Sequence, residues 1–134
     1  MQTIDFTIEP PEDFKQMQSL YESLGWNAIN LTIGELEELC IRSWCTIYAF
    51  DGERLVGTGR VISDGVITGI ICGLGVLPRY QRKSIGKEIL TRLIQHCESN
   101  RVIPQLLCEE HLESYYESFG FKKFAIGMSR KINR

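Results

Sequence analysis

The sequence lacks the features that mark secreted, membrane-spanning and nucleic-acid-binding proteins. Its five cysteines form no CxxC pair and sit mostly inside apolar segments, which predicts free thiols in a reducing compartment. No apolar run approaches the ~20 residues that a membrane-spanning helix needs, and no signal-peptide pattern is present. The net charge of −2 gives no excess of positive charge for nucleic acid. We therefore expect a cytoplasmic globular protein with neither a membrane nor a nucleic-acid partner.

Histidine is scarce as well, with only His96 and His111 in the chain. The pair His96-Cys97, taken with His111, falls short of any zinc-site spacing, so we predict no metal. A chain of 134 residues is long enough to bury one core and too short for two. The expectation is a single domain over residues 1–134.

Apolar spacing predicts ten elements in the order β-α-α-β-β-β-α-β-α-β. Strand patterns cover residues 3–8, 45–50, 55–62, 66–76, 102–108 and 121–132. Helical spacing covers residues 14–24, the segment after the capping-box pattern at 32–35, residues 85–97 and residues 112–119. This order favours an α/β (α+β) fold, with a single mixed, mostly antiparallel sheet of about six to seven strands flanked by about four helices.

A basic loop between a long apolar strand and the clearest helix is the most informative segment. Residues 79–92 hold five cations and one acid, a net charge of +4 in a chain that is negative as a whole. Helix N-termini present amide groups without partners and a partial positive charge, so they favour anions. The glycine spacings of a Walker A loop and of a dinucleotide fingerprint are missing. Another phosphate-bearing ligand is indicated, the alternative being a solvated basic turn.

The loop Gln81-Arg82-Lys83-Ser84-Ile85-Gly86 resembles the acetyl-CoA signature Gln/Arg-x-x-Gly-x-Gly/Ala of the GNAT superfamily. Two further segments agree with it. The run Leu74-x-Val76-x-Pro78 is similar to the family's fourth strand, and residues 115–121 to its Phe-Tyr-x-x-x-Gly-Phe block. The resemblance covers nearly the whole chain and implies the GNAT fold, with acetyl-CoA as the acyl-donor cosubstrate.

In such proteins the acyl-CoA lies between the fourth and fifth strands and pairs with their main chain. The residues implied to bind the cosubstrate are Leu74, Val76, Gln81, Arg82, Lys83, Ser84, Ile85, Gly86 and Lys87. Ser84 departs from the family pattern, which has glycine at this position. Its Cβ would crowd the pyrophosphate if the position requires positive φ, whereas its hydroxyl could cap the helix or bind a phosphate.

The resemblance also implies catalytic roles. By motif position Tyr116 would protonate the leaving CoA thiolate, since a phenol stays protonated at neutral pH; packing in the core is the alternative for this side chain. A backbone N–H near Leu74 or Val76 would stabilise the oxyanion. The strand at 66–76 carries no carboxylate or histidine to act as general base. Any one of Glu109, Glu110 and His111 could serve from beyond the fifth strand, and Glu109 is also a candidate for binding the substrate, although solvated charge is the alternative there.

Tyr21, in the first helix, and Trp26, which follows it, belong to an aromatic, polar stretch suited to a small amine, with ordinary packing as the alternative for Trp26. The leading hypothesis is therefore direct transfer of the acetyl group to a primary amine of a small molecule, through a ternary complex. A protein or peptide N-acetyltransferase, a non-catalytic acyl-CoA-binding module and a plain interaction domain are the alternatives. Exposed strand edges near the tail could pair two copies into a homodimer.

Overall fold

The computed structural model describes residues 3–134. Within that range the strands are β1 (Ile4–Thr7), β2 (Cys45–Asp51), β3 (Arg54–Ser63), β4 (Thr68–Val76) and β5 (Ile103–Leu106). The α-helices are α1 (Lys15–Ser23), α2 (Ile33–Arg42), α3 (Ile85–Ser99) and α4 (Glu113–Glu117). Two single 3₁₀ turns, Pro78–Tyr80 and Glu110–Leu112, precede α3 and α4 respectively.

The strands form one sheet in the order β1-β2-β3-β4-β5. The first three pairings are antiparallel, whereas β4 and β5 run parallel because α3 crosses over between them. The mixed, mostly antiparallel sheet with four α-helices confirms the predicted fold class. The described residues form five strands, however, fewer than the six to seven predicted.

The missing strand is the predicted one at residues 121–132, which has no regular structure. Its alternating apolar side chains, among them Phe124, Ile126 and Met128, are exposed. A strand is stable only when a neighbouring strand pairs with its backbone, and the segment has no such pairing among the described residues. The sequence does alternate as a strand would, but no strand forms, so the strand prediction was wrong. Homodimerisation remains a prediction.

Local sequence signals explain where α2 begins and where α1 ends. Thr32 and Glu35 form the predicted capping box at α2, with the Glu35 amide 3.1 Å from the Thr32 hydroxyl and the Thr32 amide 2.9 Å from the Glu35 carboxylate. Helix α1 is terminated by Gly25, whose φ of +72° suits glycine. The Trp26 amide then donates to the Tyr21 carbonyl at 2.9 Å, which folds Trp26 back beside α1.

Helix α3 covers the centre of the sheet. The stripe predicted from the sequence, Ile85, Ile89, Leu93 and Cys97, is buried against the inner faces of β2, β3 and β4. The approach is closest at Gly59 of β3, where an added Cβ would lie 2.8 Å from Cγ2 of Ile89. Only a residue without a side chain permits this distance, so Gly59 sets the depth at which α3 sits on the sheet.

No helix within residues 3–134 is long and apolar enough to cross a membrane.

Gly59→Ala should destabilise the protein by about 1–3 kcal/mol, because its methyl group would overpack the interface with α3. Gly34→Ala provides the matched control, since Gly34 lies in the first turn of α2 with its nearest neighbouring atom 3.9 Å from the added Cβ. That variant should be stabilised by up to about 1 kcal/mol through helix propensity. Urea unfolding of both variants measures the two effects, and equal stabilities would contradict the close contact.

Candidate active site

Strand β4 separates from β5 halfway along its length. The two strands pair from Thr68 opposite Ile103 to Ile71 opposite Leu106, and no pairing continues beyond that point among the described residues. The remaining half of β4, from Cys72 to Val76, therefore presents backbone groups to an opening and not to a neighbouring strand.

A β-bulge lies where the separation begins. Arg60 pairs with Cys72 and Thr58 with Gly75, so two residues of β4 stand opposite one residue of β3. Gly73 is the first of these two and has a φ of +62°, the left-handed conformation typical of such a bulge. A bulge bends its strand and increases its twist, which directs the second half of β4 away from β5.

The basic loop lies at the C-terminal end of β4 and leads into α3. Arg82 and Ser84 both have a φ of +64°, and α3 begins at the next residue. Backbone N–H groups in alternating left- and right-handed conformations form concave anion sites, and the first amides of α3 add donors without helical partners. The loop thus offers main-chain donors and positive charge together.

Of the five cations in residues 79–92, Arg92 is paired with the single acid of the segment. Arg92 makes an ion pair with Glu88 at 2.8 Å and stacks on the ring of Phe6 at 4.9 Å. Arg79, Arg82, Lys83 and Lys87 remain as the positive charge that precedes and enters α3. The potential above the loop therefore favours an anion even without Arg92.

Two side chains anchor the loop to the sheet. The Gln81 amide donates to the Val76 carbonyl at 3.0 Å, and the buried Tyr80 donates its hydroxyl to the Asp51 carboxylate at 2.6 Å. Lys83 lies over the Tyr80 ring, with its Nζ 5.6 Å from the ring centroid. The side chain of Gln81 thus supports the loop from behind, and its backbone amide donates to the Pro78 carbonyl at 3.3 Å.

The position of Ser84 resolves the question raised by its departure from the motif. The residue does adopt positive φ, the conformation for which glycine is the usual choice, and its side chain makes no capping hydrogen bond. The idea that its hydroxyl caps α3 is therefore wrong. At Gly86, in contrast, an added Cβ would lie 3.7 Å from Val76 Cγ2, an ordinary contact. Glycine and alanine, the two residues that the motif allows here, would therefore both fit.

A cavity of about 430 Å³ opens between the separated strands. It brings together three residues predicted from different parts of the chain, Tyr21, Trp26 and Tyr116, beside Leu74 of β4. Such a volume matches small-molecule sites. Val76 and Ile85 have buried side chains, so any part they play in binding a cosubstrate would come from their backbone.

Tyr116 lies on α4, half-buried at the edge of this cavity. The rings of Tyr115 and Phe121 meet it edge-on, at centroid distances of 5.2 and 6.2 Å. Burial raises the pKa of the Tyr116 phenol, and the nearby Tyr115 and Cys108 add to the rise. The hydroxyl is therefore protonated at neutral pH and has a proton to donate.

Glu109 does not join these residues. It begins the 3₁₀ turn after β5, its side chain is 81% exposed, and its carboxylate lies 3.4 Å from the His111 imidazole. Among the described residues, the cavity lining contains neither a carboxylate nor a histidine. Cys72 does line it, but burial raises the pKa of that thiol and disfavours the nucleophilic thiolate. The site offers an acid in Tyr116 and no evident general base.

The sequence reading missed Arg60, which lines the same cavity from β3. Its Nη1 donates to the Tyr21 hydroxyl at 2.9 Å, and its Nε is buried without a hydrogen-bond partner. Gly73 makes room for it, because a Cβ there would overlap Nη1. The available signal was a charged residue inside an otherwise apolar central strand.

Residues 12–121 match the family model described as Acetyltransferase (GNAT) family. The chain is 38% identical over 69 residues to GCN5-related N-acetyltransferase 3, chloroplastic, of Arabidopsis thaliana. That alignment covers 51% of this chain and 29% of the relative, so the chain spans less than a third of that protein. The chain belongs to the GNAT acetyltransferase family.

Solved structures show the same fold. A "probable acetyltransferase" from methicillin-resistant Staphylococcus aureus superposes with a TM-score of 0.83 at 24% identity, covering 97% of this chain and all of that one. The glucosamine-6-phosphate N-acetyltransferase of Arabidopsis thaliana gives 0.77 at 18% identity, covering 98% and 100% of the two chains. This likeness extends over essentially the whole chain and confirms the predicted fold, and the family match over residues 12–121 confirms the predicted family.

Ser84→Gly should stabilise the protein by up to about 1 kcal/mol, because a Cβ in the left-handed region costs ~1–2 kcal/mol and the greater flexibility of glycine offsets part of that gain. Ser84→Ala keeps the Cβ and should leave stability nearly unchanged, since the hydroxyl makes no capping bond. Ser99→Gly, at the end of the same helix, is the control and should destabilise. Thermal unfolding ranks the three variants; a loss of stability in Ser84→Gly would contradict the conformational argument.

Proposed function

We propose that this protein transfers the acetyl group of acetyl-CoA directly to a primary amine of a small molecule, within a ternary complex. The observation that carries the proposal is the opening between β4 and β5, which has the basic loop at the end of β4 and borders the cavity that Tyr116 lines. One molecule with an anionic end and a reactive end would fit such an arrangement.

The residues present fit acetyl-CoA. The loop from Gln81 through Ser84 and the first amides of α3 would hold the pyrophosphate by main-chain donors, aided by Arg82, Lys83 and Lys87. The main chain of β4 at Leu74 and Val76 would pair with the amide-bearing arm of the cosubstrate. The thioester would then reach the cavity.

In the reaction, the amine nitrogen attacks the thioester carbonyl and forms the new C–N bond. Backbone N–H groups near Leu74 would stabilise the oxyanion that develops. As the C–S bond breaks, the departing thiolate takes the proton of the Tyr116 hydroxyl, and the attacking nitrogen loses its proton to water. Tyr116 then recovers a proton from solvent, so the enzyme returns to its starting state.

Only a neutral amine can attack, and the cavity itself favours that form. Burial disfavours the charged form of an amine and therefore lowers its pKa. A dedicated base is therefore less necessary here than in an open, solvated site.

A small acceptor agrees best with the size of the cavity, about 430 Å³. A protein substrate would require a groove for a chain on both sides of the amine. A fold relative, the glucosamine-6-phosphate N-acetyltransferase, is by name an enzyme of a small molecule. These points favour a small-molecule amine over a peptide.

Acetyl-CoA at ~100 times its dissociation constant should stabilise the native protein by about 2.7 kcal/mol, seen as a rise in the midpoint of thermal unfolding. The double variant Arg82→Glu/Lys83→Glu should lose most of this rise, because it reverses the charge of the loop. Arg130→Glu/Lys131→Glu, in the exposed tail, makes the same change in net charge and should keep the rise. The absence of any shift in the unaltered protein would refute binding of acetyl-CoA.

Tyr116→Phe should lower kcat by roughly 10²-fold or more, because general acid catalysis contributes about 10²–10⁴-fold, and should change the KM for acetyl-CoA little. The control is Tyr115→Phe, which removes the neighbouring hydroxyl and should leave kcat nearly unchanged. Because burial raises the pKa of Tyr116 above its ordinary value, loss of its proton should reduce the rate only above about pH 10.

The same variant separates catalysis from simple binding. Release of CoA thiol in the presence of an amine panel measures turnover, and the acetyl-CoA shift measures binding. A protein that binds acetyl-CoA but acetylates no amine, with Tyr116→Phe indistinguishable from the unaltered chain, would be an acyl-CoA-binding module. Acetylation of peptides alone would instead indicate a protein N-acetyltransferase.

A further inference from the structure

The proposed function leaves Arg60 without an explained partner. It is the one charged residue among those described that line the cavity. Its guanidinium carries five N–H donors, and the hydrogen bond to the Tyr21 hydroxyl uses one of them. None of the ion pairs found within residues 3–134 includes Arg60. A cation is thus held inside the site without a matching anion.

Arg60 is partly buried, and removing a charge from water is costly unless an opposite charge accompanies it. The neighbouring strand nevertheless accommodates the Arg60 side chain. Gly73 leaves room for Nη1, and Cys72, beside the bulge of β4, pairs with Arg60. The Nε atom is buried and unsatisfied, which native proteins rarely tolerate without a reason. A ligand that brings a negative charge into the cavity would explain the cost.

Tyr21 supports the same interpretation. Its side chain is only 6% exposed, and its hydroxyl accepts the hydrogen bond from Arg60, so its own proton is available for a second acceptor. Burial raises the pKa of this phenol although Arg60 opposes the rise, so the hydroxyl is a donor at neutral pH. Arg60 and Tyr21 together therefore form a paired donor set beside the opening.

Resting on the proposed function, we infer that the acceptor amine carries an acidic group, a carboxylate or a phosphate, which Arg60 and Tyr21 bind. A guanidinium suits both groups because its planar fork can form two parallel hydrogen bonds to either. Trp26, edge-on to Tyr21 at a centroid distance of 5.3 Å, would pack against the carbon skeleton between the acid and the amine. The substrate class is a small anionic amine.

The test compares matched amines that differ only in the acidic group. β-Alanine is paired with its amide, and O-phosphoethanolamine with ethanolamine, and kcat/KM is measured for each with saturating acetyl-CoA. The kcat/KM of one acidic amine should exceed that of its neutral partner by roughly 10- to 100-fold, which is the effect of a hydrogen bond to a charged group. Whichever pair shows the preference identifies carboxylate or phosphate as the bound group.

Arg60→Gln should abolish the preference by lowering kcat/KM for the acidic amine alone. It should keep the rise in unfolding midpoint with acetyl-CoA, which shows that the cosubstrate site is folded. Arg42→Gln, an exposed arginine paired with Glu38 on α2, is the control and should keep the preference. If Arg60→Gln does not fold, Tyr21→Phe removes one donor of the pair and should lower kcat/KM several-fold for the acidic amine only.

Two results would overturn the inference. Equal rates for acidic and neutral amines in the unaltered protein would show that the cavity does not select an anion. An equal fall of kcat for all acceptors in Arg60→Gln would show that Arg60 acts on the thioester and not on the acceptor. In both cases the acetyltransferase activity would stand.

Absence of turnover with every amine would count against the proposed function. Binding would then decide the inference separately, through the unfolding midpoint measured with CoA present and β-alanine or O-phosphoethanolamine added. A rise of the unfolding midpoint in the unaltered protein that is absent in Arg60→Gln would support an anion site. No rise with either probe would refute it.

Discussion

The bulge in β4 is the constraint on which the site depends. In a regular sheet β4 and β5 would pair along their whole length, and no backbone group would be available to a ligand. The extra residue at Gly73-Leu74 bends β4 where its pairing with β5 ends, and the strands separate. The cavity and the exposed half of β4 lie where that irregularity separates the strands, and Tyr116 lines the same cavity.

The close packing of α3 on the sheet holds the basic loop at the end of β4. Gly59 lets Ile89 and Leu93 approach the backbone of β3, which fixes the height of the helix above the sheet. The N-terminus of α3 is thereby held at the end of β4, and Tyr80 and Gln81 fasten the intervening loop. Main-chain donors, positive charge and the open strand end are thus held in fixed relation, the preorganisation that reduces the cost of binding.

Local signals in the sequence were sufficient for much of this arrangement. The capping box of α2, the apolar stripe of α3 and the glycine that ends α1 each depend on residues within a few positions of one another, and each appears as predicted. The tail failed for the opposite reason. Its alternation of apolar residues indicates a strand, but strand formation requires a partner that no local pattern can supply.

The sequence by itself determined the family, the order of the elements from β1 to α4 and the loop that suits a phosphate group, because those properties reside in short motifs and local spacing. Only the tertiary structure decided that Tyr21, Trp26 and Tyr116 share one cavity, that Glu109 lies outside it, and that Arg60 enters it from the sheet. Residues that are 39 or more positions apart meet only where the chain's packing brings them together, as Arg60 meets Tyr21. The side chains that would choose a substrate come from such distant segments, whereas the loop that would hold the cosubstrate is continuous in the chain.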